Sequence, residues 1–236
     1  FYDSLECFYI LHSIFHLPLD ILNSNSEHPI QFSCFSNSLE IATYILLNKP
    51  DEAKVVLPPE RSLYMLCVQN KYCDHNLIKL LLAYNVYYPL HFSDNPLRHL
   101  VIRKDLKSII AINEAIDKFH VDQEWTAIEI AISSHLLDFV PQLIEAGMNV
   151  NQISDDGRCS LSIACYSNTR LLKSDSNLSL INCLLGKYTT IEPSKQYRCD
   201  GPIQWICQSK SPQITALFFS YKKSGLKFNL HRIGSN

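Results

Sequence analysis

The sequence predicts an all-α solenoid of about six helix-turn-helix repeats joined by short β-hairpins or loops, and three observations carry that expectation. The first is a worn tetrapeptide that returns six times: His28-Pro29-Ile30-Gln31, Arg61-Ser62-Leu63-Tyr64, Asn95-Pro96-Leu97-Arg98, Thr126-Ala127-Ile128-Glu129, Cys159-Ser160-Leu161-Ser162 and Gly201-Pro202-Ile203-Gln204. Its first residues are 33, 34, 31, 33 and 42 apart, and self-similarity at a period of that size marks a stacked repeat rather than one globular core. The second is apolar spacing at i, i+3 and i+4 after each tetrapeptide, the pattern of one buried helical face. The third is punctuation: turn-forming residues fall at fixed places between the helical stretches.

Taken in order, residues 1–27 carry apolar residues at helical spacing (Leu5, Phe8, Tyr9, Leu11, His12, Phe15) but no tetrapeptide, so they are expected to form a helical segment or cap. The array proper is expected over 28–236, with repeats starting near 28, 61, 95, 126, 159 and 201. In the fourth repeat Ile128, Ala131 and Ile132 give a first helix, and Phe139, Val140, Leu143 and Ile144 give a second. Glu145-Ala146-Gly147 then ends it with a glycine, the residue that adopts a left-handed terminus most cheaply. Second helices follow at Ser38 to Leu46, Asn76 to Leu82, Leu106 to Ile110, Leu180 to Leu185 and Pro212 to Phe219, with Pro212 in a first turn where a missing N–H does least harm.

The spacing is uneven in three places: about three extra residues around Tyr72-Cys73-Asp74, a shortened stretch before Trp125, and a longer insertion at Asn168 to Asn177. Between the two helices of successive repeats stand Asn37, Asn70, Lys104, His135, Asn168 and Lys210, where the turn favours positive φ. The chain is therefore expected to be strained at several turns, and its weaker repeats to fray separately.

Composition narrows the function. The formal charge of −2, with no run of five like charges, argues against a basic nucleic-acid footprint. No stretch approaches 18 consecutive apolar residues, and the start lacks a signal peptide, so no membrane insertion and an intracellular, cytoplasmic location are expected. The chain opens on Phe1 and stops at Gly234-Ser235-Asn236, and is read as a segment of a longer protein.

Of nine cysteines, Cys34, Cys67, Cys165 and Cys207 each lie six residues after a tetrapeptide's first residue, a packing signal for a small apolar side chain. Cys7, Cys73, Cys159, Cys183 and Cys199 show no CxxC spacing, which fits a reducing compartment. No phosphate-binding glycine loop, nucleophile elbow or HExxH is present. Cys67, Cys73 and His75 match no zinc pattern, and Asp155-Asp156 reads as a solvated turn. No catalytic residue, metal or cofactor is expected.

The fourth unit, TAIEIAISSHLLDFVPQLIEAGMNVN, resembles the ankyrin repeat, roughly TPLHLAAxxGHxxIVxxLLxxGADVN, without a gap. The resemblance extends in weaker form over residues 28–229, and Gly225-Leu226-Lys227-Phe228-Asn229 is similar to the closing GADVN. It implies a non-catalytic, monomeric protein-interaction module whose partner the repeat does not encode. It also implies a concave face made of hairpin tips and first helices. By register the tips hold His91, Phe92, Asp94, Asp122, Gln123, Trp125, Asp155, Asp156, Arg158, Tyr197, Arg198 and Asp200. The first helices add Phe35, Val68, Gln69, Ile102, Arg103, Ser133, Tyr166, Ser167 and Gln208. Trp125, Tyr166, Arg158 and Arg198 are the preferred anchors, because Trp, Tyr and Arg dominate interface energetics; Arg103, Asp155, Asp156 and Tyr197 complete the candidate set. The alternative for Trp125 is packing as core beneath its own hairpin. For the whole chain, the alternative is an architectural spacer or an accessory array of a larger multidomain protein, including one with an enzyme elsewhere.

Overall fold

Among the described residues the tetrapeptide lies at a helix start, and in three copies a polar fourth residue bonds back to the first. In the computed structural model, which describes residues 5–55, 62–70, 74–86, 95–119, 125–152, 159–171, 175–187, 190–191, 206, 211–223, 225 and 227–228, the chain is mostly helical. Thr126 Oγ1 accepts a hydrogen bond from the Glu129 backbone N–H at 3.2 Å, while the Thr126 N–H donates back to Glu129 Oε2 at 2.8 Å. This reciprocal capping box satisfies two orphan donors at once. The return bond recurs where the His28 N–H donates to Gln31 Oε1 at 2.7 Å and the Cys159 N–H donates to Ser162 Oγ at 3.0 Å. That duty explains why Gln31, Glu129 and Ser162, all polar, are buried.

The chain falls into two compact units, Phe1–Asp122 and Gln123–Asn236. The first holds α1 (Leu5–Ser13), α2 (Pro29–Ser36), α3 (Leu39–Asn48), α4 (Leu63–Gln69), α5 (His75–Ala83), α6 (Pro96–Ile102) and α7 (Leu106–Phe119), with a short 3-10 helix at Pro50–Lys54. Three helix pairs form, α2 with α3, α4 with α5 and α6 with α7. First helices pack on first helices (α2 on α4, α4 on α6) and second on second (α3 on α5, α5 on α7), so the unit has two helical layers. The core lies between them, from Ile30 and Cys34, through Tyr64, Cys67 and Val68, to Leu97, Leu100 and Val101 on the first-helix side, and Ile45, Leu81 and Ile112 on the other.

The second unit holds α8 (Ala127–Ser133), α9 (Val140–Glu145), α10 (Ser160–Leu171), α11 (Asp175–Leu185) and α12 (Pro212–Lys223). Here α8 pairs with α9 and α10 with α11, while α8 packs on α10 and α11 on α12. Two short strands, β1 (Thr190–Ile191) and β2 (Lys227–Phe228), pair in parallel with Thr190 opposite Lys227 and Ile191 opposite Phe228. The expected hairpins fall on residues outside those described.

Helix ends repeat as faithfully as helix starts. Asn37, Lys104 and His135 have φ of 63°, 56° and 59°, and each lies eight residues after the first residue of its helix. Beside them the same closing bond forms each time: Ser38 N–H to Ser33 C=O at 2.8 Å, Asp105 N–H to Leu100 C=O at 3.0 Å and Leu136 N–H to Ala131 C=O at 2.9 Å. These are Schellman closures, which require a left-handed residue. Second helices end likewise at Asn85 and Gly147, with φ of 53° and 89°. The expected strain at Asn37, Lys104 and His135 is therefore present.

Not every substitution by glycine relieves it. Exposed His135 only occupies its left-handed position, so His135→Gly is expected to raise the unfolding free energy by about 0.5–1 kcal/mol, the difference between the left-handed penalty and glycine's entropy. Asn37 Oδ1 also accepts a hydrogen bond from the Asp74 N–H at 2.8 Å, just before α5. Asn37→Gly is expected to give no such gain; parallel urea titrations of the two variants separate the effects.

The second repeat is corrected by one residue. Its helix cap is Ser62, whose Oγ accepts from the Met65 N–H at 3.2 Å, and not Arg61. The first helical residues Pro29, Leu63, Pro96, Ala127 and Ser160 are then 34, 33, 31 and 33 apart, the same set of steps as the tetrapeptide count with the first two exchanged. Cys34, Cys67 and Cys165 are all buried, as the packing argument expects, but Cys67 stands one place earlier in its helix than the other two. Asn70 consequently has φ of −69° and is not the left-handed residue; its counterpart is Lys71, outside the described residues.

The other irregularities change in kind. Much of the stretch before Trp125 belongs to α7, whose 14 residues run well past the expected Ile110 because nothing between Leu106 and Phe119 breaks a helix; residues 120–124 lie outside those described. The insertion at Asn168 to Asn177 is no single loop: α10 continues through Asn168 to Leu171 and α11 begins at Asp175. Of the extra residues around Tyr72, only Asp74 is described; its carboxylate caps α5 by accepting from the Asn76 N–H at 2.8 Å.

Candidate partner-binding surface

One position recurs on the solvent side of the first helices α2, α4 and α6, and is part-exposed on α8. Six residues after the helix start come Phe35, Gln69 and Ile102 in the first unit and Ser133 in the second. Phe35 is 57% exposed and Ile102 47%, although their neighbours Cys34 and Val101 are fully buried. Large apolar side chains held out by a packed helix are candidates for a docking surface. Val68, expected on this surface, is only 2% exposed; the one-residue register shift turns it into the core and presents Gln69 instead.

Arg103 follows Ile102 and is exposed, but its guanidinium is engaged. Arg103 Nη1 donates to the Asn70 carbonyl at 2.8 Å, and Asn70 Nδ2 donates to the Phe35 carbonyl at 3.3 Å. The ends of α2, α4 and α6 are thus tied in series, and a cation sits against the terminal carbonyls of α4, where the helix dipole favours it. Sequence spacing cannot reveal this tie, since it joins residues about one repeat apart.

Charge also shapes the flank of α6. Burial first, then the Arg98 and Arg103 charges, hold His99 below the ordinary imidazole value of 6.5. The unfolded chain therefore binds a proton at His99 more readily than the folded one. Stability is accordingly highest above pH 6.5 and is lost as pH falls from there through the depressed folded value. His99→Gln is expected to remove part of that acid sensitivity, read as a smaller drop in melting temperature between pH 7 and pH 5.5.

Trp125 is half-buried, directly before the Thr126 cap. Tyr166 lies within α10, but its side chain is outside the described residues, as are Asp155, Asp156, Arg158, Tyr197 and Arg198 in full. Of the eight candidates, the described residues hold Arg103 on the first unit, and Trp125 and the backbone of Tyr166 on the second.

Among the described residues no group of three His, Cys, Asp or Glu side chains is placed to hold a metal. Cys165 is fully buried, and that burial, with Cys159 nearby, pushes its thiol far above the ordinary value, so it stays protonated and unreactive. Among the described residues no helix is long and apolar enough to cross a membrane. No model of a known protein family matches any part of the chain, and no curated protein matches its sequence.

Proposed function

We propose that the chain is a divergent ankyrin-type array that works as a non-catalytic protein-interaction module, docking a partner on the outward positions of its first helices. The observation that carries this reading is the exposure of Phe35 and Ile102 at one equivalent position of two helices, each directly after a fully buried residue, Cys34 or Val101. A helix that spends an apolar side chain on solvent at a repeated place is suited to bury it in a partner. Helix pairs starting 31 to 34 residues apart, each first helix of the described closures ending on a left-handed residue, support the array itself.

The test is affinity capture from cell lysate with the chain and with an Ile102→Ser, Trp125→Ala, Tyr166→Ala variant, each verified by thermal melting. The module reading expects specific proteins retained by the first bait and depleted from the second. Identical captures would remove these positions from the surface, and the absence of any specific protein would remove the function.

A further inference from the structure

The helices at the start of the first unit leave a hollow between them. Phe8 of α1, Pro29, Phe32 and Phe35 of α2 and Ile41 of α3 wall a half-open cavity of about 650 Å³, and Gln69 and Asn70 also line it. That volume lies within the range of sites that accept a bulky side chain or small ligand. Its apolar walls stay wet, with Phe32 49% exposed as well as Phe35.

A charge without an opposite one adjoins this lining. Arg103 Nη1 is fixed to the carbonyl of Asn70, itself part of the wall. That bond occupies one of five guanidinium N–H donors. Among the described residues Arg103 meets no carboxylate, the charges acting on neighbouring His99 are Arg98 and Arg103 alone, and no acidic residue lines the cavity. Exposed Gln69 also lines the cavity, and among the described residues its carboxamide donor and acceptor are unused.

We propose that this cavity takes a segment of a partner protein in which a bulky apolar side chain enters between Phe8, Phe32 and Phe35 and a nearby carboxylate pairs with Arg103. Charge complementarity selects an acid: a guanidinium already braced on Asn70 offers its remaining donors as a preorganised fork. The half-open shape and the Gln69 carboxamide select a peptide over an acyl chain, because a peptide backbone needs hydrogen-bond partners along its path and an acyl chain needs enclosure. The inference rests on the protein-interaction reading and names the chemistry of the segment recognised.

The experiment uses the isotope-labelled chain titrated with three probes: acetyl-Gly-Leu-Phe-Asp-Glu-amide, its uncharged counterpart acetyl-Gly-Leu-Phe-Asn-Gln-amide, and decanoate. The acidic peptide is expected to shift the amide resonances of Phe32, Phe35, Asn70 and Arg103 saturably and to bind about fivefold tighter than the uncharged one. Added salt narrows that gap, Arg103→Gln abolishes it, and Phe32→Ser weakens both peptides. With the acidic peptide bound, His99 titrates at higher pH than in the free chain. Equal binding of the two peptides, shifts mapping elsewhere, no saturable binding, or binding of decanoate alone overturns the proposal. Protein capture that depends on Ile102 and Trp125 but is indifferent to Arg103→Gln and Phe32→Ser would leave the interaction module standing and remove this site.

Discussion

Replacing His28 with alanine is expected to destabilise the first unit by about 3 kcal/mol, because it strands a carboxylate in the core. Glu52, in the short 3-10 helix, is only 3% exposed, and its Oε2 lies 3.0 Å from His28 Nδ1. Among the described residues that imidazole is the side-chain partner of the carboxylate. Taking both groups away is a different matter from taking one: His28→Ala with Glu52→Leu is expected to recover most of the loss, since an apolar pair of similar volume has no desolvation to offset. Urea unfolding of the two single variants and the double variant gives the coupling directly. A His28→Ala variant as stable as the parent would mean that water reaches Glu52 and that the contact is dispensable.

Tyr64→Ala is expected to cost about 3–5 kcal/mol, the range for deleting a large aromatic side chain from a packed interior. Tyr64 is fully buried on α4, and its hydroxyl donates to the Val86 carbonyl at 3.2 Å, just past the end of α5. The ring fills the space between the paired helices, and the hydroxyl ties the second helix's exit to the first. Tyr64→Phe keeps the ring and removes only the tie, for about 1 kcal/mol. Comparing the two variants separates packing from hydrogen bonding. Equal losses would show that the hydroxyl, not the ring, sets the fit.

Both sites show what local pattern does and does not announce. The tetrapeptide marks His28 as the start of a repeat, and it is the cap of α2, yet Glu52 stands 24 residues away in a segment with no repeat counterpart. Tyr64 is aligned by the tetrapeptide with Gln31 and Glu129, but once Ser62 is the cap it matches Ile30, Leu97 and Ile128, all fully buried. A serine hydroxyl accepts from a helix N-terminus and an arginine cannot, and that one fact moves the whole repeat. Capping chemistry was in the sequence, therefore, but the tetrapeptide alignment put Arg61 in the first place of the repeat.

Helix ends were legible where a left-handed residue closes the turn, at Asn37, Lys104, His135 and Gly147. They were not legible at Phe119 and Leu171, where no residue forbids continuation and the helix simply runs on. The surface was the least legible part. Exposure at Phe35 and Ile102 follows from helix phase, but the cavity beside Phe35 depends on where α1 packs against α3. The link from Arg103 through Asn70 to Phe35 depends on three helices stacking in order. Neither distance is encoded within one period.

The small parallel pair at Thr190 and Lys227 carries a last consequence. Each of these residues follows the helix that ends its own repeat, so the bond joins like to like across 37 positions of chain. A contact between equivalents is a translation, and a translation sets no limit on its own copies. Chain added or removed between the two strands leaves their register untouched so long as the helix ends stay in place. Length is thus free to drift here while geometry holds, which is how a sequence can wear down its period and keep its fold.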